Sequence, residues 1–149
     1  MKCVDDVNDI GTRKDWMKGI KHMSAYSNIL KDIGIEEEST PWGYCPNDKR
    51  QEQWKQERED HSFDEREMWN LDITFLEFIY PRLKYFRDYG INFVDNPFEY
   101  QNETMTLKEA IDKVLHGMEL YLKNDYIEFP KESDYALHLL AYILPMLWK

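Results

Sequence analysis

Two charged side chains fall on the apolar side of one predicted helix, where a charge needs a partner. The helix is predicted over residues 64–89. A rotation of about 100° per residue puts Asp72 near the middle of its apolar arc and Arg82 inside that arc. Ten residues at about 1.5 Å each separate the two side chains by about 15 Å, so they cannot pair on one helix. Either structural partners on other helices satisfy them, or they line a polar pocket at a helix junction.

Basic and aromatic residues occur together towards the end of this helix. Arg82, Lys84 and Arg87 are close in sequence to several aromatic rings, a combination that can hold a phosphate-bearing ligand with its base stacked on a ring. Lys84 faces the polar side whereas Arg82 faces the apolar side, so a solvated helix end is the alternative. These arguments give the predicted ligand-binding residues, which are Trp69, Asp72, Arg82, Tyr85 and Arg87.

Two sets of acidic residues have spacings that could hold a metal ion. The first set lies on the solvent side of one predicted helix, where such spacings ordinarily stabilise the helix itself. The second could hold magnesium as in helical nucleotide hydrolases, but the repeated ExxE and ExxD pairs typical of such sites are missing. We predict no catalytic residue, metal site or cofactor, with the hydrolase as an alternative. The sets are Glu109, Asp112, His116 and Glu119, and Glu65, Asp72 and Glu109.

The composition excludes several classes of function. A formal charge of −10 and a pI near 4.8 repel phosphate backbones and anionic lipid surfaces, so we expect no general nucleic-acid binding and no membrane binding. Cys3 and Cys45 are too few for a disulfide framework or a zinc quartet, and reduced thiols are expected. Neither a leader peptide nor a run of 18 apolar residues is present, which predicts a cytoplasmic protein.

The spacing of apolar residues predicts an all-α fold, a compact bundle of about four to five helices around the long central helix. We expect a single domain over residues 1–149, with a loose stretch at 1–11 and a loop at 36–48. Residues 49–60 are charged around Trp54 and are either an exposed helix or a connector. Further helices are expected over residues 12–33, 106–122 and 133–148, the last in the core or at a partner surface.

The central helix is expected to expose one narrow polar face and to bury most of its other residues. Pro81 lies on that face, so the hydrogen bond it removes should point to water. Ser62 with Glu65 and Asp64 with Glu67 are spaced as capping boxes at its start, and Thr106 with Glu109 at the start of the next helix. The polar face comprises Asn70, Thr74, Glu77, Pro81, Lys84 and Asp88.

Three stretches resemble a group of small helical proteins of tailed phages: FDEREMWNLDITFLEFIYPRLKYFRDYG, LKEAIDKVLHGMELYL and LHLLAYILPMLW. The shared pattern is an acidic lead, Trp, one residue, Leu-Asp and then an apolar helix, and it falls on Asp64, Trp69, Leu71 and Asp72. The likeness covers roughly the C-terminal two-thirds of the chain. A basic, glycine-containing segment often precedes the acidic lead in that group, whereas this chain has EREDHS there. The group has no established activity, so the resemblance implies a helical phage protein without naming a reaction.

These observations favour a non-enzymatic phage accessory protein in the host cytoplasm. It would bind and sequester or inhibit a host factor, either a host protein or a small nucleotide used as a defence signal. One alternative is the metal-dependent helical nucleotide hydrolase. The other is a structural or assembly protein that docks a partner through its last helix, which leaves a homo-oligomer open.

Overall fold

The computed structural model describes residues 25–90, 96–124 and 129–148. The chain divides into two compact units, Met1–Phe78 and Ile79–Lys149. The described residues are mainly helical, and they also contain a two-stranded sheet that the all-α expectation did not include. The helices are α1 Asn28–Asp32, α2 Gln51–His61, α3 Arg66–Trp69, α4 Leu71–Tyr85, α5 Leu107–Lys123 and α6 Lys131–Ile143. Short 3-10 turns occupy Glu37–Ser39 and Leu144–Met146, and a π-helical turn occupies Phe86–Gly90.

Helix α1 begins later than the predicted helix over residues 12–33, because residues 25–27 are not helical and Ser27 is extended. The Ser27 hydroxyl accepts a hydrogen bond from the Ile29 amide at 3.2 Å, as an N-cap does. Gly34 follows the helix with a φ of +89°, which glycine adopts without strain, so the predicted stop is confirmed. The earlier part of that predicted helix, residues 12–24, lies outside the described residues, as does the stretch 1–11.

Of the two alternatives for residues 49–60, a helix or a connector, the helix is confirmed as α2. Trp54 is buried as its anchor, but Arg58 is buried as well, which the charged pattern did not predict. The predicted Ser62–Glu65 capping box is wrong, because Ser62 has a φ of +71° and ends α2 instead of starting the next helix. Its backbone amide donates to the Arg58 carbonyl at 2.8 Å.

The predicted central helix is two helices. Asn70, with φ −135° and ψ 73°, leaves the helical region and separates α3 from α4. The Asp64–Glu67 capping contacts are present before α3. A carboxylate oxygen of Asp64 accepts from the Arg66 amide at 3.0 Å, and Glu67 accepts from the Asp64 amide at 3.3 Å.

Helix α4 buries the side that the sequence predicted to face water. Thr74, Glu77 and Pro81, predicted to face water, are buried, while Leu71 and Phe75 are exposed. Apolar residues surround most of this helix, so the pattern alone does not determine which side faces inward. The inward side combines the buried polar residues with a second apolar row, which consists of Leu76, Tyr80 and Leu83.

The second unit contains a β-hairpin between α4 and α5. Strands β1, Phe98–Tyr100, and β2, Glu103–Met105, pair antiparallel. The two residues between them, Gln101 and Asn102, have φ of +50° and +64°, the left-handed pair of a type I′ turn. Tyr100 packs its ring against Tyr135 and Tyr142 of α6, with centroids 5.9 and 4.9 Å apart.

Helices α5 and α6 pack against each other over most of their length. The predicted Thr106–Glu109 capping box and the buried stripe of α5 are both confirmed. Gly117 permits the close approach, because a Cβ there would collide with the Cβ of Ala136 and lie 2.6 Å from the Glu132 carbonyl oxygen. Only one face of α6 is buried, so this helix contributes to the core on that face alone.

Cys45 is buried and disulfide-bonded, against the expectation of a reduced thiol. The chain's other cysteine, Cys3, lies outside the described residues. Across the described ranges, no helix combines the length and the apolar character needed to cross a membrane.

Candidate protein-binding surface

A network of three buried charges holds the turn between α2 and α3. Arg58, Asp64 and Arg66 are almost fully buried, with Asp64 completely so. One oxygen of the Asp64 carboxylate accepts hydrogen bonds from Nε of Arg58 and, at 2.7 Å, from Nη2 of Arg66. The other oxygen accepts from Nε of Arg66 at 3.0 Å. The carboxylate therefore lies between two guanidinium groups and is fully hydrogen-bonded.

The same two arginines also bind the loop that precedes α2. Nη1 of Arg66 donates to the Gly43 carbonyl at 2.7 Å, and Nη2 of Arg58 donates to the Pro41 carbonyl at 3.3 Å. Burial lowers the pKa of Arg58, and the negative charge of Asp64 opposes this shift. Because removing one member of such a network leaves an uncompensated buried charge, the network keeps loop, turn and α3 in one arrangement.

The loop before α2 is also fixed by a tryptophan. Trp42 is buried, and its indole N–H donates to Glu67 at 2.9 Å. Glu67 is the residue that also accepts from the Asp64 amide, so one carboxylate joins the loop to the start of α3.

Two tryptophans and two arginines stack beside this network. The Arg66 guanidinium lies 4.2 Å from the ring centroid of Trp54, and the Arg50 guanidinium lies 4.9 Å from the centroids of both Trp54 and Trp69. The Trp69 ring meets the Trp54 ring edge-on at 6.2 Å and 72°. The Trp54 indole N–H donates to Glu65 at 3.0 Å. Trp69 therefore contacts Trp54 and Arg50 on one side of its ring, although the side chain is partly exposed.

Arg50 is itself held by a carboxylate. Nε and Nη2 of Arg50 donate to the two oxygens of Asp48 at 3.0 and 2.8 Å. These bonds hold the pKa of Asp48 at about 2. A guanidinium that is bound in this way loses little further freedom when a ligand covers it.

Three large apolar side chains within seven consecutive residues, Trp69 among them, remain exposed at the start of α3 and in the turn before it. Phe63 is 44% exposed, Met68 57% and Trp69 42%. Trp, Met, Phe and Arg are residue types that contribute strongly to protein interfaces, whereas a folded monomer gains little from exposing them. We call Arg50, Phe63, Met68 and Trp69 the α3 surface.

The other predicted ligand-binding residues lie on α4 and on the π-helical turn that follows it. Asp72 and Arg82 are exposed, which corrects the expectation that they lie in an apolar interior. Partial burial lowers the pKa of Arg82. Tyr85 is exposed and stacks on Tyr89 at 4.8 Å.

The predicted phosphate-binding group is engaged in other contacts. Arg87 donates from Nε and Nη2 to the two oxygens of Asp112 at 2.7 and 3.0 Å, which raises the pKa of the guanidinium. Lys84 lies 3.4 Å from Asp88. Arg87 and Lys84 are therefore paired with carboxylates, as in the solvated-end alternative.

Sequence reasoning missed this network of buried charges. Arg58 was placed in an exposed helix or a connector, Arg66 was given no role in the predicted central helix, and Asp64 was recognised only as a cap. The available signal was Trp54 in an otherwise charged segment, since an aromatic ring there can cover a guanidinium.

One buried carboxylate lies outside these hydrogen-bond networks. Glu77 of α4 is 3% exposed, and its Oε2 atom has no hydrogen-bond partner among the described residues. Burial raises the pKa of the Glu77 carboxyl to about 7.

The alternative of a metal-dependent hydrolase lacks a metal-binding cluster. Within residues 25–90, 96–124 and 129–148, no group of three or more His, Cys, Asp or Glu side chains could hold a metal ion. Glu109 caps α5, Asp112 binds Arg87 and Glu119 accepts from the Tyr80 hydroxyl. A surface depression of about 550 Å³ in the second unit contains none of the predicted site residues. It is lined by Leu120, Lys123, Asn124, Phe129, Pro130 and Lys131.

Comparison with known proteins adds no family to this geometry: no protein-family model matches the chain, and neither a curated protein nor a solved structure matches it significantly.

Proposed function

We propose that this protein is a non-enzymatic accessory protein that binds a host protein through the α3 surface. One observation carries the proposal: Trp69 is exposed, yet Trp54 and Arg50 hold its ring in place. An ordered aromatic side chain at the surface binds with a small loss of conformational entropy, which is the property of interface hot spots.

The phage context of the proposal rests on the sequence resemblance alone, and the host cytoplasm follows from that context. The choice of a protein partner over a small nucleotide rests on the described residues. Arg87 is bound to Asp112, and Arg82 and Tyr85 lie on an open helix face, so these three side chains do not enclose a ligand. The exposed Trp, Met, Phe and Arg side chains of the α3 surface suit a protein partner better.

The test compares Trp69→Ala and Met68→Glu with the wild-type chain. Tagged protein is purified from infected cells, and native mass spectrometry identifies a retained partner. The affinity of each variant for that partner is then measured by calorimetry. We expect each substitution to weaken binding by about 30-fold, since a hot-spot residue contributes about 2 kcal/mol or more.

Trp148→Ala is the matched control, because Trp148 is an exposed tryptophan of the other unit and should leave the affinity unchanged. Circular dichroism and melting temperature establish that the variants are folded. Binding at wild-type affinity by both folded α3-surface variants would contradict the proposal, as would a retained nucleotide in place of a protein.

A further inference from the structure

Burial of two arginines leaves the chain around the α3 surface with negative charge at its surface. Arg58 and Arg66 are the only Lys or Arg residues of the segment 58–72, and both are buried with Asp64. Arg50 of the α3 surface is bound to Asp48. The other charged residues of the segment are partly or fully exposed carboxylates, which are Glu59, Asp60, Glu65, Glu67 and Asp72.

Two of these carboxylates lie where they oppose the stability of a helix. Glu59 and Asp60 are exposed in the last turn of α2. The C-terminal end of a helix carries a partial negative charge, so a carboxylate is unfavourable there and a lysine is favourable. Asp60 accepts a hydrogen bond from the neutral amide group of Gln56 at 3.0 Å. Residues that lower stability in this way often serve function instead.

The end of α2 adjoins the α3 surface. Phe63 follows Asp60 by three residues, and its ring stacks on His61 with centroids 5.7 Å apart. Leu71, which is 64% exposed, adds a further apolar side chain two residues after Trp69. Exposed apolar side chains and carboxylates therefore occur together in one short stretch of chain. A surface of this kind is complementary to apolar residues flanked by Lys and Arg.

We propose that the host protein bound by the α3 surface presents a basic segment, in which apolar anchor residues are flanked by Lys and Arg. The inference rests on the proposed function and adds the chemistry of the partner. A second copy of the chain would oppose carboxylates to carboxylates, and an anionic lipid surface would be repelled in the same way. The net charge of −10 attracts a basic partner, and the carboxylates beside the apolar side chains orient it.

The test measures binding of full-length protein to two synthetic helical peptides of about five turns each. Both peptides carry the same face of Leu and Trp, and their remaining positions are all Lys in one and all Glu in the other. Fluorescence anisotropy of the labelled lysine peptide should give a Kd of about 10 µM at about 0.15 M salt. The glutamate peptide should bind at least about tenfold more weakly. Trp69→Ala should weaken binding of the lysine peptide by at least about tenfold.

The double variant E59K/D60K separates a role in binding from a role in folding. It should bind the lysine peptide at least about fivefold more weakly than wild type, because two attractive charges become repulsive. Its melting temperature should be equal to that of wild type or higher, because lysine is favourable at the end of α2. The matched control E99K/D134K changes the net charge equally at exposed positions of the other unit. It should bind within about twofold of wild type.

Several results would overturn the proposal. These are equal binding of the two peptides, no binding of the lysine peptide, and wild-type binding of that peptide by E59K/D60K or Trp69→Ala. A loss in E99K/D134K as large as that in E59K/D60K would show that only the total charge matters. Sedimentation of a dimer that Trp69→Ala abolishes would place a second copy on the surface. If the α3-surface variants still lose the host partner, the proposed function survives the failure of this inference.

Discussion

Replacing Glu77 by Gln should make the stability of the protein depend differently on pH. Glu77 is buried in α4 with an unsatisfied oxygen, and burial raises its pKa to about 7 from an ordinary value of 4.5. The native chain therefore binds a proton that the unfolded chain releases above about pH 4.5. Glutamine keeps the shape of the side chain and removes this ionisation.

The sign and the size of the effect follow from linkage. Below about pH 4.5 the carboxyl is protonated in both states, and the raised pKa costs no stability. Between about pH 4.5 and 7 the unfolded chain ionises first, so stability falls as pH rises. A difference of about 2.5 pKa units corresponds to about 3 kcal/mol above pH 7. Glu77→Gln should therefore be close to wild type at pH 4 and about 3 kcal/mol more stable at pH 8.

The assay is urea unfolding followed by tryptophan fluorescence at several values of pH, with melting curves as a second measurement. A gain of about 3 kcal/mol should raise the melting temperature by about 6 to 12 °C at pH 8. Glu52→Gln, at a highly exposed side chain, is the control and should show no difference that varies with pH. The reasoning is refuted if the Glu77→Gln difference is the same at pH 4 and pH 8, or if the variant is less stable at pH 8.

Two further substitutions test the packing inside each unit separately. Asp64→Asn should lower the free energy of unfolding by about 3 to 5 kcal/mol at pH 7, because Arg58 and Arg66 lose their buried counter-charge. A urea midpoint equal to that of wild type would show that the network is not needed for stability. Gly117→Ala should cost about 1 to 3 kcal/mol, since the added methyl collides with Ala136. A melting temperature within about 2 °C of wild type would mean that α6 moves away without penalty.

The sequence predicted those elements whose signals are local. Gly34 is a helix stop, and Thr106 with Glu109 is a capping box, because each depends on hydrogen bonds within a few residues. Ser27, by contrast, was predicted inside a helix and is an N-cap. The buried stripe of α5 was also predicted, since its opposite face is clearly polar.

Features that depend on contacts distant in sequence were not predicted. The break at Asn70 has no proline or glycine to mark it, and neither residue of the Gln101–Asn102 turn is glycine. Helix α4 is apolar on both sides, so its inward side depends on packing that no local pattern contains. Of the predicted binding residues, only Trp69 belongs to the α3 surface. Its ring is held by Trp54 and Arg50, which lie on an earlier segment, and no pattern around Trp69 itself indicates these contacts.

The rule that a charge among apolar residues needs a partner applies to this protein, but to other residues than the helical pattern indicated. Arg58, Asp64 and Arg66 form one buried network, in which both arginines bind the carboxylate and Arg66 also stacks on Trp54. Asp72 and Arg82 are exposed, so water reduces what each charge contributes to stability. The same kind of substitution should therefore have different consequences: neutralising Asp64 should lower the free energy of unfolding by about 3 to 5 kcal/mol, whereas neutralising Asp72 should change it by less than about 1 kcal/mol.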